Sequence, residues 1–341
     1  MRQVNSRTFV IAEAGVNHNG DPALARALVD VAVAAGADAV KFQTFTVDRL
    51  LTRHAAKAAY QQRATGSEQS QYEMLARLEL SPSDHEMLFA RCAAAGIEFM
   101  STPFDPESAR YLKQLGVRRL KISSGDVTNL PMLEVVGALG LPVILSTGMA
   151  DMAEVEAAVA TLRGAGTTDL AVLQCVSDYP ADPGLINLKV MDTFARAFGT
   201  PVGLSDHSTG LAMSIAAVAR GAAYIEKHFT LERGLPGPDH QASLLPDELR
   251  ALVAAIRDVE AALGDGVKRP AASELPVRDV ARKSLVAARD LPGGVVLTRE
   301  DLDVLRPGTG LSPAALPAVL GRRTARAIAH HTPITEDMLK A

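Results

Sequence analysis

An alternation repeated eight times in the first two-thirds of the chain most constrains what it can fold into. Short runs rich in β-forming residues, at 9–14, 39–45, 98–103, 119–124, 142–147, 170–176, 202–207 and 223–230, alternate with Ala-rich runs of helical spacing. The helical patterns cover 22–35, 83–95, 106–115, 132–139, 153–163, 188–197, 211–220 and 246–263. Pro or Asp near several helix starts, and Gly just after helix ends, agree with capping preferences. Eight βα units in roughly 250 residues predict a (β/α)8 TIM barrel. A doubly wound sheet is the alternative, but no Gly-rich dinucleotide fingerprint follows the first strand.

The polar residues choose between the two. Every predicted strand is apolar early and polar late: Glu13, Lys41 with Gln43, Ser101 with Thr102, and Lys121 with Ser123 and Ser124. Ser146 with Thr147, Gln174 with Ser177, Ser205 with His207, and Glu226 with His228 continue the pattern. A doubly wound sheet would concentrate such residues near one switch point. A barrel gathers all eight strand ends around one mouth, where barrel enzymes keep their chemistry.

The rest of the chain bounds the reading. With 341 residues, 48% of them hydrophobic, it can build one large domain, expected at 1–265, and a small one. A net charge of -4 gives no electrostatic case for nucleic acid or an anionic membrane. Cys92 and Cys175 make no disulfide framework, as suits a reducing cytosol. No apolar run approaches the ~20 residues of a membrane span, and Glu13 interrupts the apolar run of the N-terminus, so no signal peptide is expected. The expectation is a soluble cytoplasmic protein. An insertion at 46–80 is too long for an ordinary connection and predicts a lid or a partner-contacting segment. Residues 266–280 read as a linker, and 281–341 as a compact β-rich module that gains stability by docking elsewhere.

His207 and His228 are the candidate metal ligands. A lone His near a strand end is ordinarily a hydrogen-bonded structural residue. Two on adjacent strands, in clusters carrying Asp206 and Glu226, can face one ion. Without an HExxH motif or a Cys cluster, a closed zinc site is not expected. Two imidazoles completed by oxygens suit Mn or Mg acting as a Lewis acid. Lys41 and Lys121 emerge from apolar runs into a rim of hydroxyls, which suits a phosphate or carboxylate better than a Schiff base. Glu13 and Glu226 are either structural carboxylates or proton-transfer groups. In GLPGPDH the loop aims Asp239 into the mouth or forms a surface turn. Arg306, in RPGTG, is of interest only if its domain covers a barrel mouth.

With these stretches assembled, the chain resembles the sialic acid synthase family along both domains. The stretches are IAEAGVNHNG, VKFQTF, TGSEQSQYEML, STPFD, KISSGD, ILSTGM, LQCVSDYP, GLSDHSTG, YIEKHFTLERGLPGPDH, ARKSLVA and LRPGTG. The resemblance implies a synthase condensing phosphoenolpyruvate with an N-acetylated sugar, and a C-terminal antifreeze-like SAF domain. The first acceptor it implies is N-acetylmannosamine, giving N-acetylneuraminic acid. The alternative is a 2,4-diacetamido-2,4,6-trideoxyhexose, giving legionaminic or pseudaminic acid. By position, His207 and His228 match the family's pair for Mn2+, with Mg2+ or Co2+ as substitutes. Lys41, Thr102, Lys121, Ser124, Ser146, Ser177 and Ser205 match residues that hold phosphoenolpyruvate. Gln43, Asp126, Tyr179 and Asp239 match the sugar site. Arg306 matches an Arg that reaches the N-acetyl group from the partner subunit of a domain-swapped homodimer. Glu13 and Glu226 are the catalytic candidates. Gln174, for His, and Ser177, for Asn, depart from the pattern and bear on the sugar's identity. A non-catalytic carbohydrate-binding or ice-binding protein built on the small module is the rival from another class, and it predicts a degraded mouth.

Overall fold

All eight β-type runs form strands. In the computed structural model, which describes residues 7–66 and 70–340, they are β1 (Phe9–Gly15), β2 (Ala39–Thr44), β3 (Glu98–Pro103) and β4 (Leu120–Ile122). They continue as β5 (Val143–Ser146), β6 (Leu170–Cys175), β7 (Val202–Asp206) and β8 (Tyr224–His228). Residues 1–6 of the N-terminal stretch and 67–69 of the TGSEQSQYEML motif lie outside the described residues. The β4 run ends at Ile122, short of the expected 124, because the Ser123 side chain accepts from Gly125 N and starts a tight turn.

The strands form one parallel sheet in the order β3-β2-β1-β8-β7-β6-β5-β4. Its edge strands β3 and β4 lie side by side without a ladder between them, so the sheet curls into a barrel. Helices follow the strands, and Asp21, Ser81, Asp105, Asn129 and Asp151 each accept a backbone N–H at a helix start. Such caps contribute about 1 kcal/mol each.

The two-residue period of a strand then sorts the side chains. Val10, Ala12, Val40, Phe42, Leu120, Ile122, Leu145, Val172, Leu204 and Ile225 belong to the main core, with the helices. Ile11, Ala39, Met100, Ile144, Ala171 and Leu173 form a separate buried cluster that fills the barrel interior. Ile11, Met100, Ile144 and Leu173 each gain about 1.5–3 kcal/mol from burial. Two residues further along the same faces come Glu13, Lys41, Thr102, Ser146 and Cys175, so an apolar plug carries a polar layer.

Among the described residues, the insertion after β2 holds three short helices, Val47–Leu50, Ala59–Thr65 and Gln71–Ala76. Lys57 Nζ ties it together by donating to Thr65 Oγ1 and Gly66 O, both at 3.0 Å.

The chain divides into two units, Met1–Asp265 and Gly266–Ala341. In the second, β9 (Ser284–Ala287) pairs antiparallel with β10 (Leu302–Leu305), and β11 (Arg323–Thr324) with β12 (Leu339–Lys340). Leu285, Leu291, Leu297, Leu302, Val319, Ile328 and Ile334 make its core. The stretch read as a linker carries an exposed helix, Leu275–Ala281, with Pro276 in its first turn. Proline fits that position, which composition alone obscured. Among the described residues, no helix is long and apolar enough to cross a membrane.

Candidate active site

The polar layer opens into a cavity of about 660 Å³ at the C-terminal ends of the strands. On its floor, Lys41 Nζ lies 2.7 Å from Glu13 Oε2 and 3.7 Å from Glu226 Oε2, and donates to Thr102 Oγ1 at 2.8 Å. Lys121 Nζ lies 3.6 Å from Glu226 Oε1, to which Ser205 Oγ donates at 2.9 Å. Two buried cations and two buried carboxylates thus share one site. A ladder shift after Glu13 makes room for this: Gly15 has φ 52°, and a Cβ there would come within 3.2 Å of Glu13 Oε1.

The carboxylates are not equivalent. Burial pushes Glu13 up to about 7, helped by the charge of Glu226 and opposed by Lys41. Burial also pushes on Glu226, but Lys121, Lys41 and the Ser205 hydrogen bond outweigh it and hold the group at about 2. Burial lowers Lys121. Burial acts the same way on Lys41, but Glu13 and Glu226 more than compensate and raise it. The lysines thus favour Glu226 as the anion, and burial favours the protonated form of Glu13.

The imidazoles stand beside this floor, ring centroids 5.3 Å apart. His207 Nδ1 lies 2.7 Å from Val176 O, which it can meet only as a donor. Burial lowers the ring's basicity, but Cys175 and the Val176 hydrogen bond outweigh it and raise it, so Nε2 offers a lone pair once its proton is lost. His228 is lowered well below 6.5 by burial, then by the charges of His207 and Lys41, so it is neutral. Its Nδ1 is buried without a hydrogen-bond partner, and Asp239 Oδ2 is 3.9 Å away. Tyr179 stacks on His207 at 4.0 Å and meets His228 edge-on at 5.6 Å. A neutral imidazole with an orphaned nitrogen fits a metal ligand. No group of three or more His, Cys, Asp or Glu that could hold an ion occurs among the described residues. Any ion here would therefore complete its shell with substrate or water oxygens.

Of the expected site residues, Glu13, Lys41, Gln43, Thr102, Lys121, Ser124, Ser146, Ser177, Tyr179, Ser205, His207, Glu226 and His228 line this cavity. The Ser146 hydroxyl is buried with no hydrogen-bond partner among the described residues, as suits a donor to a bound anion. Asp126 and Asp239 do not line it: Asp126 accepts from Asn129 Nδ2 at 3.0 Å, and Asp239 Oδ2 lies 3.9 Å from His228 Nδ1. Arg306 is an exposed residue of the second unit.

The strand period also bears on three of these residues. Asp206 does not join the mouth but pairs with Lys227 at 2.9 Å and accepts from Ser208 and Ser214. Gln174 does not line this cavity and donates to Ile186 O at 2.8 Å. Cys175, read only as a buried thiol, lines the cavity 3.8 Å from His207 Nδ1. Gly148 was missed altogether. A Cβ there would fall 2.3 Å from Ser177 Oγ, 3.1 Å from Ser124 Oγ and 3.2 Å from Cys175 Sγ, so only Gly keeps this corner open. Ala58, Ala59, Gln61 and Gln71 of the insertion also line the cavity. The mouth is whole, contrary to the non-catalytic alternative.

Comparison with known proteins agrees with this geometry. Residues 28–268 match the NeuB family and residues 282–340 the SAF domain. The chain is 47% identical over 337 residues to an N,N'-diacetyllegionaminic acid synthase of Legionella pneumophila, covering 98% of this chain and 95% of that protein. A Campylobacter jejuni protein of the same name is 44% identical over 318 residues, covering 93% and 95%. Among solved structures, an N-acetylneuraminic acid (sialic acid) synthetase from Leptospira borgpetersenii superposes with a TM-score of 0.70 at 36% identity, covering 80% of this chain and 90% of that one. The chain belongs to the NeuB family, the synthases that condense phosphoenolpyruvate with amino sugars.

Proposed function

We propose that the acceptor is a 2,4-diacetamido-2,4,6-trideoxyhexose in its open-chain form and that the product is N,N'-diacetyllegionaminic acid. What supports this reading is the cavity lining, which joins two chemically distinct sets of side chains. Lys41, Lys121, Thr102, Ser124, Ser146, Ser177 and Ser205 form a cationic, hydroxyl-rich set suited to phosphoenolpyruvate. Gln43, Ala58, Ala59, Gln61, Gln71 and Phe104 form a neutral set of amides and apolar groups. Among the described lining residues the only cations are Lys41 and Lys121, both already paired with carboxylates, which disfavours a sugar phosphate. The two relatives named for this product support the choice over N-acetylmannosamine.

In the reaction, C3 of phosphoenolpyruvate attacks the aldehyde carbon, water adds at C2, and C–O cleavage releases phosphate. Lys41 and Lys121 offset the charge of the anion, and the hydroxyls orient it. Glu226 favours the charged form of both lysines, and Glu13 moves the proton. His207 and His228 would hold a divalent ion, Mn2+ in our reading, whose contribution is to polarise the sugar's carbonyl oxygen.

Phosphate release from phosphoenolpyruvate, measured with each acceptor and a metal panel, tests the reading. Higher kcat/KM with N-acetylmannosamine than with the diacetamido sugar would refute the acceptor. Arg306 and a domain-swapped homodimer complete the reading. Mixing Arg306→Ala with His207→Ala chains should regain one intact site per mixed dimer, and no recovery despite subunit exchange counts against it.

A further inference from the structure

The insertion wall contains an amide pair that the condensation itself does not require. Gln61 Oε1 accepts from Ala58 N at 3.0 Å and from Gln71 Nε2 at 3.1 Å. A backbone N–H can only donate, so the atom facing Ala58 must be the carbonyl oxygen of Gln61. That fixes the orientation of its amide, and the orientation of the Gln71 amide follows. Gln61 Nε2 is left as a donor and Gln71 Oε1 as an acceptor, and neither atom hydrogen-bonds to another described residue. Both residues line the cavity beside Ala58 and Ala59, and Gln61 is only 7% exposed.

An acetamido group presents the reverse pattern. Its carbonyl oxygen accepts, its N–H donates, and its methyl needs an apolar contact. Gln61 Nε2 can meet the carbonyl, Gln71 Oε1 the N–H, and the Ala58 and Ala59 side chains the methyl. A hydroxyl can also accept from Gln61 Nε2 and donate to Gln71 Oε1, but it has no methyl to place against Ala58 and Ala59, and that contact is what an acetamido group adds. We propose that Gln61 and Gln71 form a subsite for an acetamido group of the acceptor, namely the one at C4. The C2 substituent sits on the carbon bonded to the reacting aldehyde, so it stays near the floor of lysines and imidazoles. The insertion helices follow Gln43 at the end of β2 and build the wall instead. This subsite rests on the reading of the acceptor as a diacetamido sugar.

The test compares kcat/KM for the diacetamido sugar and for N-acetylmannosamine, which has a hydroxyl at C4. Gln71→Leu removes the acceptor. Gln61→Glu keeps an oxygen for the Ala58 N–H and for Gln71, and replaces only the donor, so it carries the test should Gln71→Leu fail to fold. Each variant is expected to lose about ten- to hundred-fold on the diacetamido sugar and several-fold less on N-acetylmannosamine. KM for phosphoenolpyruvate should not move. Equal losses on both acceptors, or none on the diacetamido sugar, overturn the subsite. A wild-type enzyme that uses N-acetylmannosamine and ignores the diacetamido sugar overturns the acceptor reading first, and is recognised before any variant is made.

Discussion

Replacing Glu226 by Gln removes one negative charge from between Lys121 and Lys41 while leaving side-chain size nearly unchanged. The separations are 3.6 and 3.7 Å. At an effective dielectric of ~20, each corresponds to roughly 4–5 kcal/mol of Coulomb energy. These values do not add, because two responses limit the loss. Lys121, whose charged form burial already disfavours, can give up its proton. Glu13, relieved of a like charge, ionises more readily beside Lys41. Removing one partner of a buried pair costs about 3–5 kcal/mol. At roughly 2 °C per kcal/mol for a barrel of this size, its melting temperature should fall by about 6–10 °C. Phosphoenolpyruvate brings its own anionic groups to the same lysines and replaces the missing charge. Thermal denaturation with and without saturating phosphoenolpyruvate, at neutral pH, should therefore show a larger ligand-induced rise in Glu226→Gln than in wild type. A variant that melts with the wild type, or gains less from the ligand, would show that Glu226 does not hold these lysines.

Three further outcomes are expected. His207→Ala and His228→Ala should abolish Mn2+ binding in calorimetry while stabilisation by phosphoenolpyruvate persists, and retained metal binding in both would remove the pair from the metal site. Gly148→Ala places a methyl against Ser177, Ser124 and Cys175. Overpacking of about 1–3 kcal/mol should raise KM for phosphoenolpyruvate roughly tenfold or more, and an unchanged KM would exclude that corner from the anion site. Burial lowers His18 and His240 from 6.5 to about 4, so the unfolded chain takes up these protons first. Their contribution to stability is full above pH 6.5 and is lost as pH falls towards 4, by on the order of 3 kcal/mol each at most. Glu13 acts in the opposite sense: raised from 4.5 to about 7, it contributes stability below pH 4.5 that is lost as pH rises through 7. Melting curves across this range should lose part of their acid slope in His18→Gln and part of their alkaline slope in Glu13→Gln.

Much of the site could be read before any coordinates. The eight polar strand endings named Lys41, Lys121, Glu13, Glu226 and the two imidazoles, because a lysine or carboxylate closing an apolar run has few other reasons to be there. The insertion was legible as functional from its length alone, although not as a wall. Gln61 and Gln71 carried no signal, since a Gln on a short helix is usually solvated.

What the one-dimensional pattern determined was the set of elements and the polar character of one end of each strand, since periodicity and capping are local properties of the chain. It could not assign the faces. In β6, Leu170 to Cys175 are buried on both sides, so no alternation shows which side is the interior. Barrel closure made that choice, sending Cys175 inward and Gln174 outward, and pairing Asp206 with Lys227 behind the mouth. The unequal basicity of Glu13 and Glu226 arose in the same step. It depends on distances to lysines on other strands, and only the closed barrel sets those distances.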